Sequence, residues 1–511
     1  MKPNILFIVI DSLRADKCYG DKKTSVTPNI DSLIKNGTYF SQNITSAPAT
    51  IPSMYSILTS LYPFECVAQE GNFFVINPEI NNYVKNLERN GYSCYATLPI
   101  LISYLGFDKV FKDNLETFHR TSTLYNGLGE KIIQRLKSFS MTESWFYYLH
   151  LYDLMWISDP ANFNSEDGPD EIRNEKYGEN QYERIFSVMD AWLGRILQNL
   201  NLKNTLVVIT ADHGTDIGVY NSEMEESNKV FQELRKHDTG IGFKIGQKIA
   251  HKLPKSMSPV RKKVAGKYTS KTDERIKDKV KPELEKIEKS ELRPYEKRLM
   301  KYSILPITDL YDDKYVVPLI LTGYNIPSNK IINQQIRSVD IFPTITDIIG
   351  LSDVNYGKRG RSLLPIIQGK NLEELPAYIE TATNSVKTQT DNSIGIRTSK
   401  FKYFRDRNDP TKNVHLYDLK NDPLEEKNIA EDNKDVVEEM EKHVIEILKG
   451  ESLEHKQSKK LTEEEIKKAQ DKVIHKIKEG TMGEYFDNYD FLRCKQGLST
   501  LLIAKSFNSD K

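Results

Sequence analysis

The sequence predicts an α/β fold built on a large, mostly parallel central sheet that is flanked by helices. Two observations carry this prediction. Continuous apolar runs that are rich in β-branched residues and stop at polar turns are typical of strands buried on both faces. Segments with helical periodicity lie between these runs, and strands that alternate with helices along a chain form parallel sheets.

Several segments have the character of buried strands or of the helices between them. The strand candidates are Asn4–Ile10, Trp145–Leu151, Leu206–Thr210 and Val316–Leu321. The helix candidates are Asn29–Asn36 and Tyr182–Leu200. In sheets of this kind, ligands bind beyond the carboxyl ends of the strands. Asp11 and the pair Asp212-His213 stand at such ends, so this edge of the sheet is the expected site.

A chain of 511 residues is long enough for more than one folding unit. We expect a catalytic domain over residues 1–375, interrupted by a basic helical insertion at about 221–305. Residues 376–450 combine short strand candidates, turns and charged helical sequence, which predicts a small C-terminal α+β subdomain. Residues 451–511 predict a charged helical tail.

Charge and cysteine usage limit the choice of partners and compartment. Lys+Arg and Asp+Glu number 72 each, so the overall charge gives no reason to expect nucleic acid as a partner. No apolar stretch approaches the roughly 20 residues that span a membrane. The cysteines show no paired spacing, which favours free thiols in a reducing compartment; they are Cys18, Cys66, Cys94 and Cys494. We therefore expect a cytoplasmic protein.

The insertion contains a strongly basic segment. Residues 244–281 hold 13 Lys/Arg against 3 Asp/Glu. Apolar residues recur there every four positions and form one face of a helix; they are Ile241, Ile245, Ile249 and Leu253. Two interpretations stay open. The helix either packs on the main domain with a solvated basic edge, or makes peripheral contact with an anionic membrane or lipid-linked substrate through residues 241–281.

Asp11, Thr50, Asp212 and His213 form the candidate catalytic set. Two carboxylates and an imidazole suit one divalent cation. A hydroxyl bound to the same cation has a lowered pKa and becomes a usable nucleophile. Each residue alone has an ordinary alternative role: the aspartate as a cap or turn residue, the Asp-His pair as a self-satisfied structural pair, and the threonine as a helix N-cap.

The order of motifs along the chain strengthens this set. Over about residues 3–430, the sequence resembles the sulfatase family of the alkaline phosphatase superfamily. The matching segments are Pro3–Gly20, Thr27–Asp31, Gly37–Phe40, Ser46–Pro63, Thr205–Gly214, Leu310–Leu321, Val339–Thr344, Gly360–Leu364, Gly395–Thr398 and Leu416–Pro423. The resemblance implies an alkaline-phosphatase-like fold, with Asp11, Thr50, Asp212 and His213 at one metal ion and Thr50 as the nucleophile.

The chain departs from the family pattern at the nucleophile segment. Sulfatases have a cysteine there that matures to formylglycine, and an arginine four residues later; this chain has Thr50 and Met54. Threonine cannot become formylglycine, so its own hydroxyl must attack. Related phosphodiesterases and phosphoryl transferases of the superfamily use a threonine in this direct way.

The family's substrate-side histidines are also replaced, by Met155 and Tyr220. His150 and His237 are the possible substitutes, and His150 is the candidate general acid, although an isolated histidine on a strand is more often a core residue. Ser12 stands where calcium-binding sulfatases carry a second carboxylate. The expected cofactor is one divalent cation, Mn²⁺, Zn²⁺ or Mg²⁺, with Ca²⁺ the least suited.

The sequence therefore predicts a metal-dependent hydrolase of sulfate or phosphate esters that acts through a covalent intermediate on Thr50. The substrate would be an ester of a small molecule, a glycan or a lipid. One alternative is a phosphoryl-group transferase to a glycan or lipid acceptor, although such transferases usually carry membrane anchors. Another is a non-catalytic binding relative of the family, since the pocket histidines are replaced.

Overall fold

The computed structural model describes residues 2–70, 73–77, 80–112, 114–119, 121–139, 143–156, 169–217, 281–282, 284–304, 310–351, 358–381 and 392–449. The strands are β1 Asn4–Ile10, β2 Gly37–Ile44, β3 Val67–Glu70, β4 Phe73–Ile76, β5 Ser93–Pro99, β6 Leu115–Phe118, β7 Trp145–Leu151, β8 Thr205–Thr210, β9 Val316–Gly323, β10 Lys330–Ile332, β11 Ile336–Arg337, β12 Ala377–Glu380, β13 Ser393–Arg397, β14 Phe401–Asp406 and β15 His415–Asp418.

The α-helices are α1 Ala15–Cys18, α2 Pro28–Lys35, α3 Thr50–Thr59, α4 Pro63–Cys66, α5 Tyr83–Arg89, α6 Ile100–Ile102, α7 Asp108–Val110, α8 Leu128–Ser138, α9 Asp153–Trp156, α10 Gln181–Leu197, α11 Pro294–Ile304, α12 Asp312–Tyr315, α13 Ile341–Ile348, α14 Leu364–Ile367 and α15 Lys434–Lys449. Residues 284–289 are also helical. A π-helix covers Ser103–Phe107, and 3₁₀ turns cover Leu124–Asn126, Asp170–Arg173, Glu175–Tyr177 and Ser338–Asp340.

A large mixed sheet forms the centre of the molecule, in the order β10-β2-β9-β8-β1-β7-β5-β6, with β11 extending the pairing of β2. β1 pairs in parallel with both β7 and β8, and most other pairs are parallel as well. The predicted α/β fold with a mostly parallel sheet is thus confirmed. β9 is the exception, because it runs antiparallel to both β2 and β8.

The central position of β1 in the sheet explains why its sequence is apolar without interruption. Ile5, Phe7 and Val9 point into the core on one face of the sheet, where α3 and α13 also pack. Leu6, Ile8 and Ile10 point into the core on the other face, where α2, α8 and α10 pack. Since both faces are covered, every position of the strand excludes water, and the alternation typical of a half-exposed strand is absent from it.

The C-terminal part contains a small antiparallel sheet in the order β12-β13-β14-β15, together with α15. This matches the expected α+β character of residues 376–450. Buried charges connect it to the main sheet: the Lys402 ammonium on β14 forms ion pairs with Asp312 of α12 and with Glu425. Arg397 on β13 also binds Asp312, with a 2.9 Å contact. The strands β13 and β14 of the small sheet therefore contact the main sheet's side of the molecule through α12.

Some sequence-based expectations lie outside the described residues. These are the apolar stripe from Ile241 to Leu253, the replaced position Tyr220, the candidate His237 and the tail 451–511. The end of the expected insertion is described, and α11 there contacts the main body through Arg298 and Asp313. Cys18, Cys66 and Cys94 are buried and unpaired, as the spacing predicts. No helix in the described part of the chain combines the length and apolar character needed to cross a membrane.

Candidate active site

Three neighbouring strands bring the candidate residues to one edge of the sheet. Asp11 directly follows β1, Asp212 follows β8, and His150 is the next-to-last residue of β7. Because β7 and β8 both pair with β1 in parallel, Val9 lies opposite both His150 and Thr210. The side chains that follow these positions are therefore close in space although they are far apart in sequence.

The side chains meet in a buried cluster. The Thr50 hydroxyl donates to Asp11 Oδ2 at 3.3 Å, and His150 Nε2 lies 3.2 Å from the same oxygen. Potential ligand atoms of Asp11, His150 and Asp212 all lie within 4.8 Å of one another. His213 Nε2 lies 3.5 Å from Asp212 Oδ2. The structure thus brings all five predicted site residues into one region, with His150 among the three that lie closest together.

Ser12 orients both carboxylates. Its hydroxyl donates to Asp11 Oδ1 at 2.8 Å, and its backbone N–H donates to Asp212 Oδ1 at 3.1 Å. To do so, Ser12 adopts a left-handed backbone with φ 65°, which costs free energy in a residue with a side chain. The consequence is that the Oδ1 atoms are engaged by the protein, while both Oδ2 atoms face the cluster.

Thr50 is the first residue of α3, and Ala49 is the N-cap. The alternative that Thr50 serves as the N-cap is therefore wrong, and its hydroxyl is directed to Asp11 instead. The N-terminus of a helix carries partial positive charge, which stabilises negative charge that develops nearby. Thr50 is half-buried, whereas Asp11 and Asp212 are almost completely buried. A hydroxyl in this position can both reach a substrate and be activated as a nucleophile.

Burial and neighbouring charges shift the pKa values of three residues in the cluster. Burial raises the pKa of Asp212, and the nearby negative charge of Asp11 raises it further. Burial also opposes ionisation of Asp11, but its hydrogen bond from His150 and the charge of His213 hold the Asp11 pKa below its ordinary value. Burial lowers the pKa of His213, yet Asp212 and Asp11 together raise it above the ordinary value. Two adjacent buried carboxylates favour the binding of positive charge.

The residues present fit a divalent cation. Asp212 Oδ2 is completely buried and accepts no hydrogen bond, which is costly unless another group neutralises it. Carboxylate, imidazole and hydroxyl donors converge around it, and this mixture of oxygen and nitrogen suits a small divalent ion. Asp11, Thr50, Asp212 and His213 would hold such an ion, and His150 borders the same space.

The surroundings of His150 differ from those expected of a general acid, and those of Met54 explain why no arginine stands there. His150 is completely buried, and its two ring nitrogens face Asp11 and the Tyr148 hydroxyl, which lies 2.9 Å from Nδ1. A general acid must instead contact the leaving group. Met54, at the position of the family's arginine, is completely buried in the hydrophobic core. It therefore contributes packing at this position and no positive charge.

Sequence reasoning missed a group of ion pairs next to the site that hold its loops in place. Asp313 of α12 binds Arg14 at 2.7 Å and Arg298 at 3.1 Å. The next residue, Lys314, binds Asp216 at 3.0 Å, and its carbonyl accepts from Gly214 N–H at 2.9 Å. α12 thus holds the loops that follow β1 and β8. Asp313 lies within a recognised motif, but Arg14 is 299 positions away and Arg298 lies within the insertion, so only the fold reveals these two partners.

The fold and the site together define an alkaline-phosphatase-like α/β protein. The family model described as Sulfatase matches residues 3–351. A second model, described as N-sulphoglucosamine sulphohydrolase, C-terminal, matches residues 295–450. The chain belongs to the sulfatase family of the alkaline phosphatase superfamily, as the motif order predicts.

Curated relatives match over shorter stretches. Arylsulfatase K of Danio rerio is 26% identical over 136 residues, which is 26% of this chain and 26% of the relative. Delta 4,5-hexuronate-2-O-sulfatase of Bacteroides thetaiotaomicron is 30% identical over 132 residues, or 24% and 26% of the two chains. Choline-sulfatase of Rhizobium meliloti is 31% identical over 125 residues, or 24% and 23%. The matched region thus spans about a quarter of each relative.

Solved structures share the fold over most of their length. A protein in complex with its substrate D-glucosamine-2-N,6-O-disulfate has a TM-score of 0.56 and 16% identity, over 88% of this chain and 98% of the other. A 2-O GAG sulfatase has a TM-score of 0.58 and 16% identity, over 89% and 94%. Phosphonate monoester hydrolase of Agrobacterium radiobacter has a TM-score of 0.54 and 17% identity, over 87% and 95%.

Proposed function

We propose that this protein is a metal-dependent sulfuric ester hydrolase in which Thr50 is the nucleophile. The observation that carries the proposal is the position of the Thr50 hydroxyl, which stands at the N-terminus of α3 and 3.3 Å from Asp11 Oδ2. Its position within a buried group of carboxylate and imidazole donors supports a nucleophilic role. Membership of the sulfatase family supports a sulfate ester as the substrate class.

The reaction proceeds in two displacements. Thr50 Oγ attacks the sulfur, the bond between sulfur and the ester oxygen breaks, and the departing alkoxide takes a proton from solvent water. The Thr50 proton passes to Asp11 Oδ2, which already accepts its hydrogen bond. Water then attacks the sulfur of the sulfo-threonine, and the bond between sulfur and Thr50 Oγ breaks. Thr50 Oγ regains the proton from Asp11, the water's proton passes to solvent, and sulfate is released. A divalent cation, when bound, would lower the pKa of the Thr50 hydroxyl and neutralise charge on a non-bridging oxygen.

The names of the relatives cover alcohols of several kinds, including choline and a hexuronate. A sulfated sugar is the first substrate to test, because the hexuronate sulfatase and the glucosamine disulfate complex both concern sugars. A phosphate or phosphonate ester is the second candidate. It is favoured by the unmodified threonine, since direct attack by a hydroxyl without formylglycine is the route of phosphodiesterases related to the family.

The test compares the full-length wild type, Thr50→Ala and Thr50→Ser. Each is supplied with Mn²⁺, Zn²⁺ or Mg²⁺ and assayed on aryl sulfate, glucosamine sulfate, aryl phosphate and phenylphosphonate esters. We expect sulfate release by the wild type, a loss of more than about a thousand-fold in Thr50→Ala, and partial activity in Thr50→Ser. Mass spectrometry after a rapid quench should find a sulfo group on the peptide that contains Thr50.

Each outcome separates the candidates. Faster turnover of the phosphorus esters would favour the second candidate over the first. Full activity in Thr50→Ala would contradict the assigned nucleophile. No turnover of any ester, with every cation, would overturn the enzymatic proposal and favour a binding relative. Thr59→Ala is a matched control, because Thr59 is at the other end of α3 and its hydroxyl donates to the Tyr55 carbonyl.

A further inference from the structure

We infer that His150 is a ligand of the cation, and that the site consequently selects an ion that binds imidazole, such as Zn²⁺ or Mn²⁺, over Ca²⁺. This inference rests on the metal-dependent function proposed above and assigns a residue and an ion class that the sequence pattern leaves open. It replaces the general-acid role that the sequence suggests for His150.

The first argument is the placement of the ring. His150 Nε2 points toward Asp11 Oδ2, 3.2 Å away, and belongs to the group whose ligand atoms all lie within 4.8 Å. Nδ1 lies 2.9 Å from the Tyr148 hydroxyl. Histidines that bind metals through one nitrogen characteristically donate the other N–H to a fixed acceptor, and the Tyr148 oxygen can act as that acceptor. The ring is thus held with Nε2 available to the cluster.

The second argument is the spacing of the donor atoms. Adjacent ligands bound at about 2.1 Å to one four- or five-coordinate ion lie about 3.0–3.6 Å apart. Asp11 Oδ2 is separated by 3.2 Å from His150 Nε2 and by 3.3 Å from Thr50 Oγ1. Asp212 Oδ2 is separated by 3.5 Å from His213 Nε2. These separations resemble the edges of a compact coordination shell.

The third argument is the state of the carboxylates. Ser12 engages Oδ1 of both Asp11 and Asp212, so one oxygen of each carboxylate is already used. Asp212 Oδ2 is buried and accepts no hydrogen bond. With no hydrogen bond, and with His213 Nε2 no closer than 3.5 Å, this oxygen is placed to bind a cation. Each aspartate is therefore arranged to supply one oxygen, which is the pattern of a small shell and differs from the bidentate pattern common around Ca²⁺.

The fourth argument excludes a direct role for His150 in protonating the leaving group. The His150 side chain is completely buried, whereas Thr50, the proposed nucleophile, is half-buried and therefore partly accessible. His150 lies beside Val9 in the interior of the sheet and approaches Asp11 from that side. A proton donor must be within hydrogen-bond reach of the departing oxygen, and a group enclosed in this way contacts the cation site instead.

The ion class follows from the donors. Ca²⁺ takes six to eight oxygen ligands, at distances that need a wide and flexible shell. This site offers two carboxylate oxygens, one hydroxyl and the imidazoles of His150 and His213, with Ser12 hydrogen-bonded to Asp11 in place of a further carboxylate. Imidazole ligands favour Zn²⁺ and related transition ions, and the carboxylates also suit Mn²⁺.

The test measures metal binding without turnover. Full-length protein is stripped with a chelator and titrated calorimetrically with Zn²⁺, Mn²⁺ and Ca²⁺, for the wild type, His150→Gln and the control His443→Gln on α15. Removing a residue that hydrogen-bonds to a metal ligand lowers metal affinity by about 10–100-fold. Removing the ligand itself should therefore lower it by at least about 100-fold. We expect this loss of Zn²⁺ affinity in His150→Gln, none in His443→Gln, and a wild-type preference for Zn²⁺ over Ca²⁺ of at least 100-fold, roughly.

A second measurement uses the wild type alone and does not depend on how the buried variant folds. Zn K-edge X-ray absorption counts coordinated imidazoles by their scattering, and we expect two. One imidazole, or unchanged Zn²⁺ affinity in a folded His150→Gln protein, would overturn the inference while leaving the proposed function intact. Failure of every cation to bind would overturn both. Tight cation binding with two imidazoles but no ester hydrolysis would support the inference and contradict the proposed function.

Discussion

Arg14 Nη2 lies 2.7 Å from Asp313 Oδ1, and this buried ion pair joins the loop that carries Asp11 to α12. The same carboxylate binds Arg298 of α11 at 3.1 Å. A single aspartate thus connects the loop that follows β1, the segment just before β9 and α11 at the end of the insertion. Because all three charged groups are largely removed from water, the pairs are sensitive to the loss of one partner.

We expect Asp313→Ala to destabilise the protein by about 3 kcal/mol, since two buried guanidinium groups would each lose one carboxylate partner, although Arg14 keeps its pair with Asp16 at 2.9 Å. Denaturant unfolding followed by circular dichroism measures this change. Glu130→Gln is the control, because Glu130 pairs with Arg195 where both side chains are about half exposed, and its effect should stay within about 1 kcal/mol. Equal effects of the two substitutions would contradict the assigned importance of Asp313.

Gly214 leaves no space for a side chain. A Cβ atom there would lie 2.1 Å from the Asp313 carbonyl oxygen, so Gly214→Ala must displace the turn that carries Asp212 and His213. We expect a weaker affinity for the cation, measured by calorimetry, together with a lower melting temperature. In Gly91→Ala the added Cβ would meet no atom within 4 Å, and only its positive φ of 81° is unfavourable. That control should therefore lose stability without losing cation affinity; unchanged affinity in Gly214→Ala would contradict the close contact.

A substitution at Met54 tests whether this chain tolerates the arginine that the family has at this position. The side chain is completely buried among apolar residues of α3 and the sheet. An arginine there would bury an unpaired charge, so Met54→Arg should fail to fold or lose several kcal/mol, roughly, with no gain in activity. Met54→Leu keeps the volume and should cost less than about 1.5 kcal/mol. A stable and more active Met54→Arg protein would show instead that this position faces the substrate.

The raised pKa of Asp153 predicts that the free energy of unfolding depends on pH. Burial raises the pKa of Asp153 to about 7; its Oδ1 accepts from Leu124 N–H at 2.8 Å, while Oδ2 accepts no hydrogen bond. The folded pKa exceeds the unfolded value of 3.8, so the folded state holds the proton more tightly. This contribution to stability is fully present below the unfolded pKa and is lost as the pH rises through about 7.

Asp153→Asn removes this titration while keeping an oxygen that can accept from Leu124 N–H. We expect its melting temperature to change less than that of the wild type between pH 5 and pH 8, with each unit of pKa shift worth about 1.4 kcal/mol. Asp409→Asn, at a partly exposed position that pairs with Lys412, is the control and should leave the wild-type pH profile unchanged over this range. Parallel profiles for wild type and Asp153→Asn would show that Asp153 ionises in the folded state as it does in water.

The sequence by itself determined the buried strands, the order of the motifs and most residues of the candidate site. β1 and β7 begin and end where their apolar runs predict, because burial on both faces leaves a continuous signal that needs no knowledge of neighbours. Asp11 and Asp212 could be placed at one edge for a similar reason, since the carboxyl ends of parallel strands meet there. Thr50 was found through the motif that contains it.

Only the tertiary structure decided the direction of β9, the surroundings of His150 and the partners of Asp313. An apolar run has the same pattern in either direction, so the antiparallel course of β9 follows from its connections. His150 reaches Asp11 because β7 pairs with β1 in the register that sets it opposite Val9. Arg14 and Asp313 are 299 positions apart, and their pairing depends on which loops the sheet order brings together. Contacts of this kind depend on distance in space, which a local sequence pattern does not encode.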